Sequence, residues 1–273
     1  MRLSELGELG LLAELESRGL ARSIENDAAD LGDGRIVTQD ALVEEVHFKR
    51  NWISWRDLGF RAAAVNLSDL AASGAEPDGL IVSIGLPGET EVADVLELYE
   101  GMRETGVPVI GGDTTAADRI YLSVTALGRS ERVPGRDGAQ PGDAIVVTGP
   151  LGAAGAAFRE NRFVRPPVRL EEGRSLARTA HAMLDISDGL ERDLARIAER
   201  SGVRCLVELD RVPLAQEATI EDLGFGEDYE LLAAVPDDDF YVIGRCEPGE
   251  GVELRRDGVP VELGGWEHFS TEY

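Results

Sequence analysis

Four aspartate-centred segments constrain this chain more than any other feature. They are Thr38-Gln39-Asp40, Asn66-Leu67-Ser68-Asp69, Gly111-Gly112-Asp113-Thr114-Thr115 and Asp185-Ile186-Ser187-Asp188-Gly189. Each stands at the end of an apolar run or in line with one. A carboxylate delivered to the edge of a core is costly to bury unless a cation or strong donors meet it. The segments are far apart in sequence, so a fold that satisfies them together has to gather several elements around one charge. The pattern predicts one shared divalent-metal site.

The elements follow from periodicity and punctuation. Residues 3–18 read as an amphipathic helix with Ser4 as N-cap. Residues 36–40 are β-branched and apolar and end in Asp40, which predicts a strand. Ser54-Trp55-Arg56-Asp57 opens a helix to about Ser73, with Leu58, Ala62, Val65 and Asp69 on one face. Gly74 and Pro77 close it. Strands are expected at 80–85, at 107–111 (short and buried) and at 120–127 (half-buried). A helix over 91–105 puts Val92, Val95, Tyr99 and Met102 on one face. The stretch 129–141 is polar and rich in Gly and Pro, and divides the chain into domains at 1–137 and 138–273. In the second half, strands are expected at 144–148, 182–186, 203–209, 229–235 and 240–246. A small-residue helix should follow Gly149-Pro150-Leu151-Gly152, and another helix should run to about Ser201. Residues 252–263 read as a hairpin turned by Asp257-Gly258. The order suggests two α+β domains rather than a doubly wound parallel sheet.

Composition excludes several function classes. The net charge of −25 argues against a generic basic nucleic-acid surface. No apolar run approaches about 20 residues, and the acidic start MRLSELGELGLL is unlike a signal peptide. Cys205 and Cys246 lie outside any metal-ligand spacing and read as free thiols of a cytosolic protein. Lys49 is the single lysine, and neither GxxxxGK[ST] nor GxGxxG occurs. Phosphates, if handled, are met by metal ions and arginines.

Asp27, Thr38, Asp40, Asp69, Asp113, Asp185 and Asp188 offer the oxygen shell that hard cations such as Mg²⁺ take. Crowded carboxylates repel by about 4 kcal/mol per pair at 4 Å and an effective dielectric near 20. Such a site binds metal or protonates, and an anionic substrate approaches only after neutralisation. That favours phosphoryl transfer by metal-assisted positioning. Each segment taken alone is also compatible with a turn or a helix cap. His47 on its own reads as a surface or packed histidine, and Glu227-Asp228 as loop carboxylates. Gly149-Pro150-Leu151-Gly152 is compatible with a tight turn or with an anion-binding helix start. His181 and His268 receive no role.

The motifs VTQDALVEEVHF, AVNLSDLAASGAEP, IGGDTT, PGDAIVVTGPLG, DISDGLERDL, GEDYELL and GGWEHF occur in this order. Together they resemble the thiamine-monophosphate kinases, a family related to aminoimidazole ribonucleotide synthetase and selenophosphate synthetase. The resemblance covers nearly the whole chain. It implies two α+β domains of the aminoimidazole ribonucleotide synthetase-like fold, with N-domain strands pairing into a barrel across a homodimer. It implies ATP-dependent phosphorylation of thiamine monophosphate, direct and in line, at a site holding several Mg²⁺, with no covalent nucleophile. On the family's metal positions fall Asp27, Thr38, Gln39, Asp40, Asp69, Asp113, Asp185 and Asp188. On its ATP positions fall Tyr99, Gly112, Asp113, Arg136 and Ser187. His47, Glu227 and Trp266 fall on the positions that hold the thiamine phosphate, where Trp266 would stack on a cationic ring. The implied setting is a cytoplasmic enzyme without nucleic-acid or membrane partners. The family's Gly-Ile-Gly-Asp-Asp-Ala appears here as Ser23-Ile24-Glu25-Asn26-Asp27-Ala28, and Gln39 stands where Thr is common. Two other readings accompany this one: another ATP-dependent synthetase of the superfamily, and a non-catalytic nucleotide-binding relative.

Overall fold

The computed structural model describes residues 2–21, 26–236 and 240–266. Part of the Ser23–Ala28 motif, and His268 with the end of GGWEHF, lie outside these residues. Helix α1 (Leu3–Ser17) comes first. Its N-cap is Arg2 rather than the expected Ser4, and Gly7 breaks it with a φ of 71°. A five-stranded sheet follows, in the order β1 (Ala29–Asp30), β2 (Arg35–Val43), β5 (Tyr121–Arg129), β3 (Glu76–Leu86) and β4 (Val109–Ala116). Only β3 and β4 are parallel.

Two helices, α2 (Trp55–Ala72) and α3 (Val92–Arg103), complete this half. Ser54 caps α2 by accepting from the Asp57 amide at 3.0 Å, and Gly74 ends it in a left-handed conformation. Leu58, Ala62, Ala63, Leu67 and Leu70 of α2 enter a common core with Val82, Ile84, Leu122 and Val124 of the sheet. The helices cross so closely that a Cβ on Gly59 would meet the Leu98 carbonyl oxygen at 1.8 Å. One on Gly101 would meet the Arg56 carbonyl at the same distance. That crossing decides which face of α3 is buried. Leu98, Gly101 and Met102 are enclosed, whereas Val92, expected on the buried face, is 73% exposed.

Strand β4 corrects a second expectation. Read as a short buried run, it is instead the edge strand, bonded to β3 alone and exposed from Ile110 to Ala116. An edge strand keeps a row of unpaired backbone groups and loses cover on that side.

The second half builds a seven-stranded sheet from β6 (Ala144–Val147), β7 (Ala182–Asp185), β8 (Arg204–Glu208), β9 (Leu231–Val235), β10 (Tyr241–Glu247), β11 (Gly251–Arg256) and β12 (Val259–Val261). Their order is β12-β11-β8-β10-β6-β9-β7. Asp257 and Gly258, both with positive φ, turn β11 into β12. Cys205 and Cys246 face each other across β8 and β10 as buried free thiols. Three helices accompany the sheet: α4 (Ala153–Arg159), α5 (Leu170–Leu176) and α6 (Leu190–Ser201). The two halves join where Ala71 and Ala72 of α2 pack with Leu176, Met183, Leu231 and Ala233. Helix α2 therefore serves both cores. No helix among the described residues is long and apolar enough to cross a membrane.

Candidate active site

The carboxylates converge at the C-terminal half of α2. The Asn66 side chain, fully buried, accepts from the Asp40 amide at 2.9 Å and donates to the Ala62 carbonyl at 3.0 Å. This locks the middle of β2 against the helix. Thr38 donates its hydroxyl to Asp69, one turn after Asn66. Ser68 donates to Asp185 at 2.5 Å, tying α2 to the end of β7 in the other half. Ligand oxygens of Asp27, Asp69 and Asp185 lie within 4.8 Å of one another. Arg136 pairs with Asp27, and its Nε is buried without a hydrogen-bond partner among the described residues.

Such crowding has an electrostatic signature. Desolvation, then the charges of Asp27 and Asp188, push the Asp40 carboxyl up to about 6. Asp69 is raised well above the usual carboxylate range by desolvation and by Asp40, Asp185 and Asp27, with the Thr38 hydrogen bond opposing. Asp185 is raised by desolvation and by Asp27, against the Ser68 hydrogen bond. A cation bound among them would hold all of them ionised. Hard oxygen donors gathered from four elements fit a small divalent cation.

Other expected residues fall around this centre or away from it. Asp188 follows β7 and is held by Arg196 of α6. Ser187 and Asp188 donate their amides, both at 2.9 Å, to Asp193, which is fully buried. Desolvation pushes Asp193 up to about 7 against the pull of Arg196. The Gln39 side chain turns from the cluster to Ser123 and Thr125, at 2.9 and 3.1 Å. Asp40 is in register with Val124, Val82 and Gly112, so Asp113, one residue on, belongs to the opposite sheet face. Three strand spacings, about 14 Å, also separate it from β2. The structure therefore sets Asp113 apart from the carboxylates of its own chain. Gly112 sits on edge strand β4, where a Cβ would meet the Val82 carbonyl at 1.9 Å. Tyr99 packs, partly buried, against the N-terminal core.

His47 and Glu227 are brought together by a residue that sequence reading left out. Arg61 of α2 donates to the His47 carbonyl at 2.6 Å and pairs with the Glu227 carboxylate. Glu227 and Tyr229 both adopt left-handed φ, 57° and 51°. Their amides donate to Ser187 and Ile186, each at 2.9 Å, which fastens this loop beside the end of β7. The Trp266 amide donates to the Asp188 carbonyl at 2.9 Å, and its side chain is 36% exposed. Glu191 holds the tail before it through the amides of Leu263 and Gly264. Nearby, Phe158 packs against Trp52 and Phe225, with ring centroids 5.6 and 4.8 Å away, joining the two halves.

Asn66, Ser68, Arg61, Asp193, Glu191 and Arg196 were given no role from the sequence. For Asn66 and Ser68 a signal existed, since they are polar residues inside an otherwise apolar helix. For Arg61 and Glu191 the partners come from distant segments and left no local trace.

Two family models match the chain in order: AIR synthase related protein, N-terminal domain, over residues 25–130, and AIR synthase related protein, C-terminal domain, over residues 140–256. Fold and site thus define a two-domain protein of the AIR synthase related class. The thiamine-monophosphate kinase of Aquifex aeolicus is 35% identical, with 98% of this chain and 100% of that protein covered. That of Methanopyrus kandleri is 38% identical, with 85% of each chain covered. The solved structure of AaThiL complexed with AMPPCP and TMP matches with a TM-score of 0.89 at 34% identity, over 98% of this chain and 99% of that one. The chain belongs to the thiamine-monophosphate kinase family. The hydrogenase maturation protein HypE in complex with ATP, at 20% identity and a TM-score of 0.72, shares the fold.

Proposed function

We propose that this chain transfers the γ-phosphoryl group of ATP to thiamine monophosphate, yielding thiamine diphosphate and ADP. The observation that carries the reading is the convergence of Asp27, Asp69 and Asp185, from both halves of the chain, within 4.8 Å. Its context is a chain whose relatives are thiamine-monophosphate kinases, one of them solved with AMPPCP and TMP. Asp27, Asp40, Asp69, Asp185 and Asp188, with Thr38, would hold Mg²⁺, and Gln39 would contribute through its backbone. Bound there, Mg²⁺ supplies the positive charge that lets two polyanions meet.

The remaining work falls to the chain's own residues. Arg136 and Ser187 border the cluster on the nucleotide side, and Tyr99, Gly112 and Asp113 complete the proposed ATP contacts. His47 and Glu227 hold the acceptor, and Trp266 covers its rings. An acceptor phosphate oxygen forms a bond to the γ-phosphorus as the bond to the β,γ-bridging oxygen breaks. No side chain becomes covalently modified. The open face and edge of the first sheet expose Ile81, Ile110 and Tyr121, which supports a homodimer formed through this sheet. The free buried thiols support a reducing, cytoplasmic setting.

Incubation with ATP, Mg²⁺ and thiamine monophosphate tests the reading through the appearance of thiamine diphosphate. Substrate-dependent ADP release without the diphosphate would assign another synthetase-type reaction. Nucleotide binding without turnover would assign a non-catalytic role.

A further inference from the structure

Arg61 is 4% exposed, although it is charged. A guanidinium is kept there only if its donors are used. One end of its fork reaches the His47 carbonyl at 2.6 Å, in the turn after β2. The other reaches the carboxylate of Glu227, in the loop before β9. The ring of Phe163, with its centroid 5.9 Å from the guanidinium carbon, covers the group. A single side chain thus fastens two segments from different halves of the chain.

The Glu227 loop needs fastening. A non-glycine residue with a φ of 57° is strained and persists only where its surroundings over-determine it. Glu227 has two such restraints, its amide on Ser187 and its carboxylate on Arg61. Arg61 also shares a rigid helix with the carboxylate cluster. Eight residues of α2 separate it from Asp69, a rise of about 12 Å. One helix therefore fixes the distance between the cluster and the pair His47–Glu227.

We propose that Arg61 is a positioning residue for the phosphate acceptor. It sets where His47 and Glu227 stand relative to the carboxylates and does not touch the reacting atoms. This rests on the reading of His47 and Glu227 as acceptor contacts. Specificity for the acceptor, rather than for the nucleotide, depends on it.

The test uses the full chain with Arg61→Gln and Arg61→Lys. Arg61→Gln is expected to raise KM for thiamine monophosphate at least about tenfold while KM for ATP stays within about twofold. Arg61→Lys keeps the charge but cannot fork to both partners, so it falls between, at about three- to fivefold. Should Arg61→Gln fail to fold, Arg61→Lys carries the same comparison. Equal rises in both KM values, or none for thiamine monophosphate, would overturn the proposal. Amide hydrogen exchange gives a readout independent of activity: Arg61→Gln, or Arg61→Lys in its place, should accelerate exchange in residues 44–48 and 226–229 and leave β6 to β9 unchanged. If the parent forms no thiamine diphosphate, the functional reading fails by itself. Unchanged exchange in the two segments then overturns the clamp, and faster exchange in both upholds it.

Discussion

Two neighbouring sites bury carboxylates in opposite ways. Asp185 pairs across the sheet with Leu231, and the residue before Leu231 is Glu230. Glu230, 3% exposed, is gripped by Arg169 through two hydrogen bonds of 2.7 and 2.6 Å and by Thr148 at 2.6 Å. Its charge is answered inside the fold, and Arg169 is pushed upward by the same pairing. Asp185 has Ser68 for a donor and other aspartates for neighbours, and burial, then the charge of Asp27, push its carboxyl upward. The first arrangement joins α5 to the second sheet. The second gathers like charges, which a divalent cation would answer. Buried carboxylates of one type thus separate into structural and functional ones by the sign of their neighbours.

That contrast can be broken by experiment. The largest expected effect is on turnover. Asp40→Ala should lower kcat by at least about a thousandfold while the melting temperature holds or rises, because repulsion is removed. Near-parental rates at saturating Mg²⁺ would end the assignment of Asp40. Glu230→Gln should do the reverse, costing about 2–3 kcal/mol in denaturant unfolding because it breaks the buried half of the Arg169 pairing, while Glu172 at 2.9 Å still meets the guanidinium. A variant as stable as the parent would erase the distinction.

Metal and pH probe the same difference without mutation. In metal-free protein the Asp40 carboxyl moves from 3.8 to about 6, and Asp69 and Asp185 move in the same direction. The folded state therefore retains protons that the unfolded state releases between those values. The cluster's contribution is fully favourable below the unfolded value and is lost as pH rises through the folded one. Melting of metal-free protein should thus occur at lower temperature near pH 7 than near pH 5. Mg²⁺ at about 100 times its dissociation constant should add about 2.7 kcal/mol at the higher pH, and chelation should remove it. A metal-insensitive melt would mean that the cluster holds no cation.

Smaller effects refine the picture. Trp266→Ala should raise KM for thiamine monophosphate more than KM for ATP, and equal changes would move Trp266 out of the acceptor site. Thr148→Val should cost about 1–2 kcal/mol, since Arg169 still answers Glu230 and the loss falls mainly on the Leu231 amide, which donates to the hydroxyl at 2.8 Å. A larger loss would show that the hydroxyl, and not the arginine, carries the pair.

Much of the fold could be read locally. Ser54 and Gly74 bracket α2 because an N-cap acceptor and a left-handed glycine act within one turn. Asp257-Gly258 marks its hairpin for the same reason. The aspartates signalled themselves by standing where apolar residues belong. Other features could not be read this way. The apolar residues of β4 look like core until the strand order leaves β4 at an edge. Val92 shares a helical face with Val95 and Tyr99, but the Gly59–Gly101 crossing turns that face partly outward. Asp113 resembles Asp40 in composition and differs by one step of sheet register. Helix α5 has too few residues to stand out, and it is held by Arg169 and by α2.

The sequence by itself determined the cap and the end of α2, its periodicity, the Asp257-Gly258 turn and the family to which the chain belongs, because each rests on short-range geometry or on motifs in fixed order. Only the tertiary structure decided which aspartates meet, which strand is left at the edge, and that Arg61 joins His47 to Glu227. Register, strand order and the pairing of buried charge are settled between segments that are distant in the chain, so no local stretch of residues records them.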